Sequence, residues 1–532
     1  MMVTEVDVDA VVVGAGMGGI YAVHALNDAG FSVQGLEAGS GVGGVWFHNR
    51  YPGARVDVES LYYCFYFSPD LFREWTWTER YAAQPEIRAY LDWIAERTGV
   101  KERFRFNTKM IAAQWVPEQD HYRVTTSDGD TIICRYVVLM TGQLSAPREL
   151  PFKGLETFKG AWHQTAHWPE GDVDLSGRVG VIGTGSTGVQ VVTAVAPRAE
   201  QLYVFQRTAN YSVPAHNGPF DQDRFDEISS DVPKAYGRIL TDRSGSLFPD
   251  PPGATTDFDP AERQAILEER WALGGQCMNR VFTDQGTEPT ANAVVSEFVR
   301  SKIRGIVVDQ EVAERLIPTE YPIGTRRLCV DTGYYQQFNR ESVTLVDVKA
   351  DPIDRIVEDG IVTQSGHHYQ LDLLIFAIGF DAFTGALDAI DIRNEDGEQP
   401  SDRWSKGPRT FLGLMASGFP NLFIPTGPGS PSVLANMIQL NTFQADYVVQ
   451  LIKHMKANGL TRVEPTEIGL DDWAAEVAAA SGKLLRLNVQ NYMVHVSDDG
   501  TRTFMPYAGG FGRFVELSNE AADAGYPGLS FR

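Results

Sequence analysis

The sequence predicts an α/β chain of two dinucleotide-binding (Rossmann-like) domains, with a helical insertion within the second. Three observations lead there. Residues 8–16, VDAVVVGAG, are an apolar run ending in glycine, and MGGIYAVHALNDAG continues with helical periodicity. Residues 178–185, RVGVIGTG, followed by STGVQVVTAVAP, repeat the plan. Across 216–322 the strand–helix alternation stops, and charge-rich stretches such as PAERQAILEERWALGG read as helix.

Other elements fall between these landmarks. Residues 80–100 read as helix, and 104–140 as short strands with hairpin turns, clearest at Ser127-Asp128-Gly129. A strand at 135–142 ends on Gly142, and the Pro-containing stretch 143–152 reads as a domain crossing. A comparable strand, LDLLIFAIGFD, occupies 371–381. From 431 helix alternates with short strands, as in FMPYAGG at 504–510.

Composition narrows the function. With 43 % hydrophobic and 22 % charged residues the chain is globular, which excludes a disordered protein. Its 46 basic and 69 acidic residues give a net charge of −23. That surface repels nucleic acid and anionic membranes, so neither is an expected partner. Four separated cysteines with no CxxC pair argue against a disulfide scaffold, a zinc knuckle and a dithiol centre. The histidines, the His367-His368 pair included, show no metal-ligand spacing. The N-terminus lacks a basic leader and a small-residue cleavage site, and no apolar run nears the roughly 18 residues of a membrane span. A cytoplasmic protein is expected, with oligomeric state left open.

Each glycine turn points to a nucleotide. Gly14-Ala15-Gly16-Met17-Gly18-Gly19 fits GxGxxG after a strand. Its glycines allow the turn, the approach of a pyrophosphate and the packing of helix on strand. The helix N-terminus adds free N–H groups and a positive dipole end. A second strand ends at Glu37, whose carboxylate suits both hydroxyls of an unphosphorylated ribose, as in FAD or NAD. In the second turn, Gly183-Thr184-Gly185-Ser186-Thr187-Gly188, no acid stands at that place. Arg207, beside Thr208, offers a cation for a 2′-phosphate, the alternative being a surface salt bridge. Gln190 on the following helix joins this set. An acid-marked turn and an arginine-marked turn together imply a flavoprotein that holds FAD and is reduced by NADPH. The expected division is 1–143 and 378–532 for FAD, 144–215 and 323–377 for NADP, and 216–322 for the insertion.

Longer motifs then resemble a known family. Gly43-Gly44-Val45-Trp46-Phe47-His48-Asn49-Arg50-Tyr51-Pro52-Gly53-Ala54-Arg55-Val56-Asp57 matches the GGxWxxxxYPGxxxD pattern of the Baeyer–Villiger monooxygenases. Residues 158–169, FKGAWHQTAHWP, are similar to that family's FxGxxxHxxxWP fingerprint. The likeness runs on through VFQRTANYSVP, RRLCVDTGYY and FAIGFDAFTGAL, over nearly the whole chain. GPGSPSVLANM (427–437) looks most like the phenylacetone and steroid monooxygenase branch. The resemblance implies conversion of a ketone to an ester or lactone with NADPH and O2, through a C4a-peroxyflavin. Two positions depart from the pattern. Gln164 stands at the fingerprint's histidine, which in the family lies on the connection between domains. Asn491 stands where the family has a tryptophan, pointing to a more polar or open pocket, and the following loop VHVSDDGTRT lacks the usual GANxPGK.

The resemblance also distributes roles. Attack on a ketone needs the flavin peroxide kept anionic, hence a fixed cation, and arginine keeps its charge near neutral pH. The family match puts that cation at Arg327. Asp57 is suited to hold Arg327 in its reactive rotamer, or alternatively to cap a helix starting at Val58-Glu59-Ser60. Val45, Trp46, Phe47, His48 and Tyr63 should line the flavin with Met437 opposite, although Trp46 and Tyr63 could be ordinary core aromatics. Arg326 should meet the NADP 2′-phosphate or ribose, and Arg55 and Val56 the nicotinamide half. Two rival readings remain: a flavin monooxygenase that oxygenates nitrogen or sulfur without needing Arg327, and a non-enzymatic flavin/NADP sensor.

Overall fold

The computed structural model describes residues 6–404, 407–497 and 499–532. β1 (Val8–Val13) lies between β2 (Val33–Leu36) and Thr131–Leu139 and pairs parallel with both. Flanked on both edges and covered on both faces, it carries a continuous run of Ala and Val rather than an alternation. The sheet runs Asp391–Arg393, Met110–Val116, His121–Thr126, Thr131–Leu139, β1, β2, Phe104–Arg105, and Leu422–Phe423 also pairs with Thr131–Leu139. The crossover from β1 to β2 is α1 (Met17–Asp28), which packs against α3 (Met437–Ala457) from the far end of the chain. Met17, Ile20 and Val23 share one core with Leu440, Val448 and Leu451.

The second sheet repeats the plan. β3 (Arg178–Ile182), α2 (Ser186–Val195) and β4 (Gln201–Gln206) form its first βαβ unit. All its described pairings are parallel, in the order Val343–Asp347, β4, β3, Leu373–Phe376, Ala161–Gln164. The two glycine turns are physically alike. Gly14 (φ +101°) and Gly183 (φ +109°) occupy backbone closed to other residues, and a Cβ would strike the carbonyl of Met140 at 2.5 Å or of Ala377 at 2.3 Å. A Cβ at Gly19 or Gly188 would fall 1.7 or 2.0 Å from the carbonyl of the turn's own first glycine. Helix thus lies directly on strand in both units.

Within 216–322 five helices occur and, among the described residues, no strand: Gln222–Ser230, Val232–Thr241, Pro260–Leu273, Pro289–Ile306 and Gln310–Leu316. Ser212–Pro214 and Cys329–Asp331 pair parallel across the ends of this stretch and return the chain to the second sheet just past Arg326 and Arg327.

Several strand boundaries differ from the sequence reading. The strand expected at 135–142 runs Thr131–Leu139, lengthened at its start by the hairpin with His121–Thr126. The strand expected at 371–381 is only Leu373–Phe376, because Gly379 (φ +85°) turns the chain away. Residues 146–148 and 379–381 instead run antiparallel as paired crossings. The Asp381 amide donates to the Ala146 carbonyl (2.8 Å) and the Arg148 amide to the Gly379 carbonyl (3.2 Å). The Gln164 side chain donates to the Arg148 carbonyl at 2.8 Å, so the residue at the fingerprint's histidine position ties the sheet to the crossing. In 504–510 only Phe504 is in a strand, Arg502–Phe504.

Candidate active site

The first turn and the GGVWFH segment form one surface. The Glu37 carboxylate accepts from the Ala15 and Gly39 amides, each at 2.6 Å, with the His48 ring 3.8 Å away. Burial acts against its charge, yet the nearby His48 ring and the bonds from Gly39 and Ala15 outweigh that and hold the carboxyl below its ordinary value. The Gly43 amide donates to the Ala15 carbonyl (2.8 Å), and a Cβ on Gly44 would lie 2.7 Å from the Gly16 Cα. The short helix Val45–His48 follows. Phe47 is buried beneath Arg88 (4.3 Å to the ring centre), while Val45 and His48 are exposed. The Trp46 indole donates to the Tyr63 hydroxyl at 3.1 Å. The two rings meet edge-on, a directed contact beyond plain core packing. Met437 starts α3, whose Asn441 side-chain oxygen lies 2.4 Å from where a Cβ on Gly18 would stand.

The second turn faces open space. Gly185 has no atom within 4 Å of a Cβ built on it. The Thr184 hydroxyl donates to the Thr208 carbonyl (3.0 Å), the Ser186 hydroxyl lies 3.6 Å from the Cys329 sulfur, and Thr187 and Gly188 open α2. Gln190 reaches outward: it accepts from the Tyr51 hydroxyl and donates to the Arg55 carbonyl, both at 2.9 Å. This locks the YPGARV loop onto α2. Gly53 packs so tightly there that a Cβ would meet the Gln190 carbonyl at 2.5 Å. The Arg55 guanidinium is engaged by Glu79 and the Tyr81 carbonyl. Val56 lines a small polar cavity with Gln190, Thr193, Asp331 and Thr332. Arg207 is exposed and has no hydrogen-bond or ion-pair partner among the described residues.

Asp57 and Arg327, 270 residues apart, meet between these surfaces. Arg327 donates from Nε (2.9 Å) and Nη2 (2.6 Å) to one oxygen, Oδ2, and from Nη1 to the Val433 carbonyl (2.8 Å). The side chains keep 34 % and 20 % of their exposure, so the pair is partly open to solvent. The Asp57 charge, outweighing burial, raises Arg327 further above its already high value, and its charge is permanent. No helix covers 58–60, so Asp57 caps nothing; it is committed to the arginine. Arg326 lies over the Tyr321 ring at 4.5 Å with a buried Nε that has no partner among the described residues.

The sequence reading missed several neighbours. Gln276, in the 3₁₀ turn Gly275–Asn279 of the helical stretch, reaches Asp57. The phenol of Tyr492 is raised by burial, drawn back by the cation of Arg327, raised by the Asp57 charge and drawn back again by Arg486. Burial pushes Arg486 itself down to about 10. Only the doublet Gly274-Gly275 marked the Gln276 turn in the sequence. Asn491 does not make the pocket polar. Its amide donates to the Arg486 and Val489 carbonyls and accepts from the Met493 amide, closing a local turn. Of the loop 494–503, Val494–Val496 and Arg502–Phe504 form a hairpin, and Asp498 lies outside the described residues.

The residues fit two dinucleotides. Both turns lead into helices whose N-caps, Gly16 and Gly185, supply no capping side chain, leaving first-turn N–H groups for phosphate. The unpartnered Arg207 and the orphaned Arg326 Nε supply cationic donors on the second side. The sequence model of a family described as NAD(P)-binding Rossmann-like domain matches residues 12–75, and that of L-lysine 6-monooxygenase/L-ornithine 5-monooxygenase matches 67–236. A Baeyer–Villiger monooxygenase of Pseudooceanicola batsensis is 38 % identical over 528 residues, 98 % of this chain and 96 % of its own. Among solved structures, oxidized steroid monooxygenase bound to NADP is 43 % identical with a TM-score of 0.94, covering 98 % of this chain and 99 % of that one. The OTEMO complex with FAD and NADP is 37 % identical with a TM-score of 0.95, covering 99 % and 100 %. With agreement at this level from end to end, the chain belongs to the Baeyer–Villiger monooxygenase family.

Proposed function

We propose that this protein converts a ketone to an ester or lactone, with the Asp57–Arg327 pair at the reacting centre. When bound, NADPH supplies a hydride and FAD activates O2. The first turn (Gly14, Ala15, Gly16, Gly19), Glu37 and the Gly44–His48 segment, with Tyr63 and Met437, would hold FAD. Thr184–Gly188, Gln190, Arg207, Thr208 and Arg326 would hold NADP, with Arg55 and Val56 beside its nicotinamide half. Residues 1–143 and 378–532 would then serve FAD, 144–215 and 323–377 NADP, and 216–322 would cover the site. A reducing cytoplasm suits four buried cysteines with free thiols, and no helix among the described residues is long and apolar enough to cross a membrane.

One observation carries this reading: a permanently charged guanidinium, partly open to solvent and clamped from three nitrogens. Clamped donors need no reorganisation as negative charge develops on oxygen, first on the attacking group and then on the former carbonyl. Asp57 sets the rotamer and the Val433 carbonyl fixes the plane. A lysine would meet neither geometric demand.

The test is the holoenzyme with cyclic, arylalkyl and steroid ketones, reading NADPH loss, O2 uptake and product. The expected result is one NADPH and one O2 per ester or lactone with at least one ketone class. Hydrogen peroxide alone across the panel would overturn it. The match of residues 67–236 to the lysine/ornithine monooxygenase model favours a second reading, oxygenation at nitrogen or sulfur. Amines and sulfides in the same panel, oxygenated while every ketone is left intact, would support that instead.

A further inference from the structure

We propose that Gln276 is a positioning residue for Arg327, holding its counterion and the carbonyl of the next residue at once; this rests on the reading of Arg327 above. The Gln276 side-chain nitrogen lies 3.4 Å from Asp57 Oδ2, the oxygen that takes both bonds from Arg327, and 3.5 Å from the carbonyl of Leu328, the residue after it. Both exceed the roughly 2.7–3.2 Å of an ordinary N–H···O bond, so each is a weak contact that a small shift would tighten. Gln276 Oε1 accepts from the Asn279 side-chain nitrogen at 2.6 Å. Flipping the carboxamide would set its oxygen against two acceptors and its NH2 against a donor, so the network fixes the orientation. The turn is itself wedged in place. Gly274 and Gly275 take positive φ, and a Cβ on them would meet the Pro214 carbonyl at 2.5 Å or the Tyr81 hydroxyl at 2.2 Å.

The physical role follows. Asp57 and Arg327 bonded only to each other could swing as a unit, because neither bond refers to a third part of the chain. The Val433 carbonyl supplies one external reference and Gln276 the second, from the helical stretch, acting on the carboxylate. Without that donor the carboxylate gains freedom and the guanidinium loses its fixed direction. Misplacement of a catalytic group by about 1 Å is enough for a 10²-fold effect.

The experiment uses the FAD-loaded full chain as wild type, Gln276→Leu, Gln276→Glu and Asn279→Leu. In Gln276→Leu, ester formed per NADPH should fall about tenfold. Ketone KM should stay within about twofold and anaerobic flavin bleaching by NADPH should keep its rate. Gln276→Glu should be better coupled at low pH, where its protonated carboxyl still donates, than at high pH, where it repels Asp57. Asn279→Leu, which frees the Gln276 amide, should lose coupling in the same direction but less. A readout independent of turnover is proton exchange at the Arg327 Nε–H, followed by NMR of nitrogen-15 arginine protein and assigned with Arg327→Lys. Exchange should quicken in Gln276→Leu and Asn279→Leu. Wild-type ester formation tests the activity; only the variant-to-wild-type differences and the exchange rates test Gln276. Unchanged exchange and unchanged coupling in both leucine variants would overturn the role, as would lowered melting temperature with neither readout moved.

Discussion

On the proposed reading one exposed cation, Arg207, sets the preference of the second turn for NADPH over NADH. Arg207 follows β4, where a ribose-binding acid would stand, and has no partner among the described residues. A guanidinium–phosphate contact contributes about 1.5–3 kcal/mol, or roughly 10–100-fold. Arg207→Ala should therefore raise the KM for NADPH by that factor while leaving the KM for NADH nearly unchanged. Steady-state kinetics with both cofactors checks this, and equal losses for both would remove Arg207 from the phosphate site. Residues such as Arg207, Asp57 and Arg327 were legible because they sit in long motifs. Gln276 was not: an amide in a half-buried 3₁₀ turn leaves no periodic trace, and its partner is 219 positions away. Asn491 misled because a polar residue in a loop can face the pocket or close its own turn, and only coordinates separate the two.

At the scale of elements, α1 and α3 carry a titration of their own. Asp446 on α3 accepts from the Tyr21 hydroxyl of α1 at 2.8 Å, and burial pushes its carboxyl up to about 6. The unfolded value is near 3.9. With the folded pKa the higher, the neutral form is favoured in the fold. The contribution is fully present below about pH 4 and is lost as pH rises through about 6. With allowance for partial solvent screening the loss is on the order of 1–2 kcal/mol. Asp446→Asn should match wild type near pH 4 and melt higher at pH 8. A melting difference independent of pH would show that the Asp446 carboxyl titrates alike in the folded and unfolded chain. α1 was legible from its apolar periodicity and α3 only as part of the helix–strand alternation after 431; their contact was not legible, since it joins distant parts of the chain. Strand ends failed similarly, because Gly379 and the paired crossing decide where the strand at 373–376 stops.

Over the whole molecule, distant stretches converge on one guanidinium. Asp57 comes from the loop after the first glycine unit, Val433 from the segment before α3, and Gln276 from the helical stretch between the two parallel-paired strands at 212–214 and 329–331. The YPGARV loop is pinned to α2 through Gln190, which ties the first glycine unit's loop to the second unit's helix. The repeated fold plan and the two nucleotides could be read from the glycine turns and the acid or arginine that follows each. The meeting of Asp57 with Arg327 followed from the family motifs; the arrival of Val433 and Gln276 depends on topology and had no local signal. Arg327→Ala tests it most directly, with anaerobic flavin reduction and aerobic ester formation measured on the same preparation. Reduction by NADPH should proceed as in wild type, while ester formation should fall by about 10²–10³-fold and hydrogen peroxide should appear in its place. Ester formed at the wild-type rate without that guanidinium would contradict the role assigned to it.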